Sequence, residues 1–188
     1  YAGQMTEIRY TVKNSGNQAI PESSWKDTLY ISQDPYLDKT DLPIVTLETT
    51  QSLAVNGTLE KTMQFITPAM KQGAIFLILS IDDQWQILEQ TQLNNEVANQ
   101  VNLLFPPLME DSEYVSNFMA GQKVEQFFQL NVPAGRSIRI RFNTSVAGIE
   151  AYLRFGSFAT RGEYDYKLEN GILIIPATDG EWFLLIYG

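Results

Sequence analysis

Three aspartates, Asp34, Asp38 and Asp41, fall close together just after the segment Trp25-Lys-Asp-Thr-Leu-Tyr-Ile-Ser32. Calcium takes about six to eight oxygen ligands from carboxylates, carbonyls and water, so three carboxylates in one short loop are a candidate Ca2+ site. The loop lacks the alternating acids, central glycine and final glutamate of an EF-hand. The local alternative is that the aspartates accept loop amides in Asx-turns. A second acidic group, Asp82, Asp83 and Glu89, has the residue types of a glycosidase carboxylate pair. Its spacing singles out no pair, and it stands where a turn is expected. A third, Glu110, Asp111 and Glu113, reads as a solvated charge cluster.

Arginine and tyrosine supply the other candidate chemistry. Arg139, Arg141, Tyr152 and Arg154 occupy the polar positions of alternating segments. If those segments are neighbours, they form a basic and aromatic patch, which Tyr164 and Tyr166 extend. Arginine forks recognise carboxylates, and tyrosine supplies contact area for protein or polysaccharide. The same side chains can instead pair across strands with Glu150, Glu163 or Asp165. Trp25 and Trp182 stand at strand starts and read as core, whereas Trp85 stands in a turn and reads as exposed.

Composition removes several classes of function. The 188 residues contain no histidine and no cysteine. Ser–His–Asp and Cys–His mechanisms, thiolate metal sites and a disulfide framework are therefore excluded. A net charge of −9 opposes nucleic acid as a partner, since phosphate binding needs clustered Lys and Arg. No apolar run approaches the ~20 residues of a membrane-spanning helix, so no membrane insertion is expected. The chain starts at Tyr1 without a leader pattern, which reads as a piece of something longer.

The elements that must position these residues are short strands. Ile8, Tyr10 and Val12 alternate before the turn Asn14-Ser-Gly-Asn17. Leu29 and Ile31 alternate with Tyr30 in the strand Trp25–Ser32, and Leu59, Met63 and Phe65 mark another strand. Ala74–Ile81 has the length and apolarity of a strand buried on both faces. Phe105-Pro-Pro breaks the pattern. Beyond it, Ile138, Ile140 and Phe142 alternate with Arg139 and Arg141, and Ala151, Leu153 and Phe155 alternate with Glu150, Tyr152 and Arg154. No helix of ordinary length is evident. The expected architecture is all-β: two β-sandwich domains in tandem, over 1–105 and 114–188, joined by a linker at 106–113.

Tyr10-Thr-Val-Lys-Asn-Ser-Gly16, Trp25–Ser32 with its acidic loop, Gln51-Ser-Leu-Ala-Val-Asn-Gly57, Pro68, Gly73, Glu89 and Asn94-Asn95 come in an order that resembles the cell-adhesion-related domain found in bacteria (CARDB). This resemblance implies an immunoglobulin-like, generally non-catalytic module of secreted or cell-surface proteins. Val132-Pro-Ala-Gly135, Ala151–Gly156, Ala159-Thr-Arg161, Tyr164-Asp-Tyr166 and Asp179–Gly188 resemble the bacterial pre-peptidase C-terminal domain (PPC). That resemblance implies a jelly-roll-like sandwich that accompanies extracellular enzymes. Some of its members bind calcium near the leading linker, where Glu110, Asp111 and Glu113 stand. The chain is therefore expected to be an extracellular adhesion or binding module for protein or polysaccharide, flanked by neighbouring domains of its parent chain. The alternative is the accessory region of a secreted peptidase or other hydrolase.

Overall fold

The computed structural model describes residues 1–70, 73–89, 94–111, 113–115, 125–176 and 179–188. They contain strands and no helix. The chain divides into two compact units. One takes Met5–Thr67 and Gly73–Leu103, and the other takes Tyr1–Gln4, Pro68–Gln72 and Leu104–Gly188.

In the N-terminal unit, β1 (Met5–Lys13) and β4 (Thr58–Ile66) pair without interruption from Met5↔Ile66 to Lys13↔Thr58. The second sheet runs in the order β3-β2-β5-β6, with β2 at Ile20–Ser32, β3 at Leu42–Leu53, β5 at Gly73–Ser80 and β6 at Glu96–Leu103. Period-two alternation decides which faces meet. Ile8 and Tyr10 of β1 and Met63 and Phe65 of β4 pack with Leu29, Leu47, Leu77 and Leu79 of the larger sheet. This is an immunoglobulin-like sandwich.

The motif Asn14-Ser-Gly16 fixes one end of that unit. The Asn14 side chain donates to the carbonyls of Gln18 and Leu53 and accepts the Gly16 amide. Asn56, at φ 60°, lies in the turn that carries the chain from β3 in one sheet to β4 in the other, with the Gly57 amide donating to the Ala54 carbonyl at 2.8 Å. The left-handed φ falls at Asn56, a residue type that tolerates it.

The C-terminal unit repeats the style. A four-stranded sheet has the order β10-β9-β12-β7, with β7 at Glu125–Val132, β9 at Glu150–Phe155, β10 at Tyr166–Leu168 and β12 at Gly180–Tyr187. Two further strands, β8 (Ile138–Phe142) and β11 (Gly171–Ile175), pair as a separate sheet. Phe128, Leu130, Ile140, Leu153, Ile175, Trp182 and Leu184 form the core, so the two sheets pack face to face.

The proline run expected to be a linker lies inside this unit. Pro107 bridges Gln129 in a parallel manner, the Leu108 amide donates to the Gln129 carbonyl, and the Gln129 amide donates to the Pro106 carbonyl. Proline lacks an N–H, but its carbonyl still accepts. The residues Pro106 to Leu108 therefore lie along β7.

Candidate functional site

The acidic loop after β2 is a set of local turns. The Tyr36 amide donates to Asp34 Oδ1 at 2.9 Å, the Thr40 amide and hydroxyl donate to Asp38 Oδ1 at 2.7 Å, and the Asp38 amide donates to Asp41 Oδ2 at 2.8 Å. The Thr40 bonds hold the Asp38 carboxyl below its ordinary pKa. Each aspartate thus serves the loop backbone, and among the described residues no three acidic side chains converge as a metal ligand set. The Asx-turn reading describes what these side chains do.

The Arg and Tyr candidates separate into two places. Arg139 and Arg141 lie on β8, exposed, opposite Ile174 and Ile172 of β11. Tyr152 and Arg154 lie on β9, in the other sheet. The strands are not neighbours, so one continuous patch does not form. Tyr166 also leaves the group: its ring packs 5.9 Å from that of Trp182, on the core side of the sheet.

Tyr152, Arg154 and Tyr164 remain together on the outer face of the four-stranded sheet. Tyr152 alternates with the core residues Ala151 and Leu153 and so points outward, yet it is only 4% exposed. Tyr164 covers it at 4.9 Å between ring centroids, and Lys167 Nζ sits 5.6 Å from its ring centre. Arg154 pairs with Glu163 at 2.6 Å.

Glu150 is the centre of charge on this face. It takes Lys167 Nζ at 2.6 Å, the Tyr152 hydroxyl at 2.6 Å and Arg161 at 3.3 Å. Lys167 first, then the Tyr152 hydroxyl, lower its carboxyl from 4.5 to about 2. The same contact raises the Lys167 pKa. Arg161 also lies over the ring of Tyr187, 4.5 Å from its centre. Beside it opens a cleft of about 320 Å³ lined by Phe127, Phe158, Thr160, Arg161, Leu185 and Tyr187, among others. Phe105 backs this region, with ring contacts to Phe127, Phe158 and Phe183. An aromatic wall with Arg161 as charged donor and Glu125 as charged acceptor among its lining suits the stacking and orientation of a sugar ring or a peptide side chain.

The family model for CARDB matches residues 1–99. The chain belongs to the CARDB family. Among curated proteins no match was found. Among solved structures, the secreted serine protease VesC from Vibrio cholerae is similar at 14% identity and a TM-score of 0.31. The likeness covers 100% of this chain and 44% of that one, so the chain spans less than half the length of the protease chain.

Inside the CARDB domain the structure holds a polar group that no local motif announces. Asp27, on β2, is fully buried, and its Oδ2 receives Lys61 Nζ at 2.6 Å and the Tyr10 hydroxyl at 2.7 Å. Oδ1 accepts the Asp82 amide at 3.2 Å. Burial first, then the bond to Asp27, pushes the Tyr10 hydroxyl far above its ordinary pKa. The signal for this group is in the sequence: Asp27 sits in phase with Trp25, Leu29 and Ile31, and Lys61 in phase with Leu59, Met63 and Phe65. A charged residue at a core position of each strand breaks the binary pattern. For Arg161, Lys167 and Tyr187 the sequence holds no comparable signal, because loop 156–165 and β12 meet only in the fold. The remaining expectations for tryptophan agree with the structure: Trp25 and Trp182 are buried and Trp85 is 76% exposed.

Proposed function

We propose that this chain is a non-catalytic binding module of a larger secreted or cell-surface protein, and that its C-terminal unit contacts a protein or polysaccharide. The observation that carries this reading is the aromatic cleft beside Arg161 and Tyr187. Membership of CARDB, an adhesion-related family, supports the extracellular setting. Tyr152, Arg154 and Tyr164 extend the binding face next to the cleft, while Arg139 and Arg141 belong to the other sheet. The CARDB unit acts as the rigid spacer that presents this face.

Glycan and peptide arrays probed with the whole chain test the proposal, with Arg161→Ala and Tyr187→Ala run in parallel. Binding that both variants weaken by tenfold or more is the expected result. Binding left unchanged in both removes the cleft as the site, and a protein silent on both array types removes the binding function itself.

A second reading rests on the PPC-like residues of the C-terminal unit, from Val132-Pro-Ala-Gly135 to the closing strand Asp179–Gly188. In it the chain is the accessory region of a secreted peptidase or other hydrolase, and the same face holds that enzyme's substrate. A hydrolase domain encoded in the same open reading frame would favour it.

A further inference from the structure

Lys61 and Asp27 stand where neither residue type belongs. Each occupies an inward position of its strand, among Met63, Phe65 and Leu29 of the sandwich core. Their side chains are 4% and 0% exposed, and Nζ lies 2.6 Å from Oδ2. Two charges withdrawn from water in this way carry a large desolvation cost, and their attraction often does no more than offset it. A reaction that removes both charges removes that cost.

We propose that Lys61 and Asp27 condense to an intramolecular isopeptide bond that clamps β2 to β4 across the sandwich. The ammonium and the carboxylate together contain everything the reaction needs. One proton passes from Nζ to Oδ2 within the pair, giving the amine and the acid. Nζ then attacks Cγ, and charge develops on Oδ1, where the Asp82 N–H is placed as the donor that stabilises it. The second Nζ proton reaches Oδ2 by way of the Tyr10 hydroxyl, which bonds that oxygen at 2.7 Å. The Cγ–Oδ2 bond breaks and one water leaves. The product is a neutral amide whose carbonyl oxygen, the former Oδ1, keeps its bond to the Asp82 amide.

The surroundings favour the condensed side. The Trp25 ring, itself buried, lies over Nζ with its centre 4.5 Å away and helps keep out the water that would reverse the step. No metal, cofactor or second protein is required. The bond would join strands of opposite sheets, and so hold the module shut against pulling or proteolysis whatever ligand the other unit takes.

Intact-mass spectrometry of the full chain tests this directly. The folded wild type is expected to weigh one water less than its sequence requires, and Lys61→Met is expected to show the full mass. Trypsin cannot cut after an acylated Lys61, so digestion should release the peptide Asp27–Lys39 joined to the peptide that begins at Thr40. Tyr10→Phe, verified as folded by circular dichroism, should accumulate the cross-link at least tenfold more slowly. Wild-type protein that is folded yet keeps its full mass after prolonged incubation overturns the proposal. A Tyr10→Phe variant that links at the wild-type rate overturns the proton path.

Discussion

Substitution of Asp82 separates hydrogen bonding from backbone strain in the loop that leaves β5. Asp82 is 1% exposed and adopts φ 51°, in the left-handed region. Its carboxylate accepts the Gln86 amide at 2.7 Å and the Ile87 amide at 2.8 Å, and its own amide donates to Asp27. Asp82→Ala removes the charged acceptor of two amides, each bond worth about 1.5–3 kcal/mol. It also places a residue less tolerant of positive φ there, at up to about 1–2 kcal/mol. The expected loss is about 3–8 kcal/mol for the CARDB unit, read as a lower urea midpoint at unchanged m-value. Asp82→Asn keeps the φ tolerance and one acceptor, so about half that loss is expected. Asp82→Gly relieves the backbone but leaves both amides without the carboxylate. Hydrogen exchange at Gln86 and Ile87 reports the same bonds locally. The expected order of stability is wild type, then Asn, then Gly, then Ala. A glycine variant at least as stable as the asparagine variant would refute the hydrogen-bond account, as would an alanine variant within about 1 kcal/mol of wild type.

Tyr30 donates to Asp83 Oδ2 at 2.8 Å, and burial followed by that bond raises its pKa from 10.0 to about 12. The folded state keeps this proton where the unfolded chain releases it, so the contribution is complete below pH 10 and is lost as pH rises towards about 12. Tyr30→Phe should flatten that alkaline limb in urea midpoints measured against pH. Glu150 behaves oppositely: its folded pKa is depressed to about 2, so its contribution is present above 4.5 and is lost as pH falls towards about 2. Glu150→Gln should abolish this acid limb in the C-terminal unit, and an unchanged limb would place the titration elsewhere. At Gly180, φ is 134° and an added Cβ would come 2.9 Å from Phe155 Cε2. Gly180→Ala should therefore cost about 1–3 kcal/mol in thermal or urea melts.

Alternation makes the strands legible but not their neighbours. The inward series Ile8, Tyr10, Val12 and Leu59, Met63, Phe65 can be read from the sequence, and β1 and β4 meet along them. Arg139 and Arg141 likewise fall on an exposed face, opposite Ile140 in the core. That β8 pairs with β11 while β9 pairs with β10 and β12 is set by contacts between distant segments, which a local pattern does not encode. Tyr152 shows the same division: alternation gives its outward direction, but the cover from Tyr164 and Lys167 belongs to the fold. Tyr166 sits on a strand of three residues, too short for its phase to be read.

The acidic residues show which kind of anomaly carries information. Asp34, Asp38 and Asp41 draw attention because they cluster, yet aspartate in a loop is where its side chain best satisfies neighbouring amides. Clustering there has a local cause, and the hydrogen bonds of the loop express it. Asp27 stands alone in the middle of a strand, where aspartate is disfavoured, and Lys61 stands alone in another. A sandwich core excludes either residue singly, because one uncompensated buried charge destabilises by about 3–5 kcal/mol. The two misplacements are therefore explicable only together. Two charges of opposite sign, each in phase with the apolar residues of its own strand, face one another across the core; the phase of each is legible in the sequence, and their pairing is a property of the fold. Residues whose type opposes their position constrain the fold more tightly than residues grouped where their type is at home.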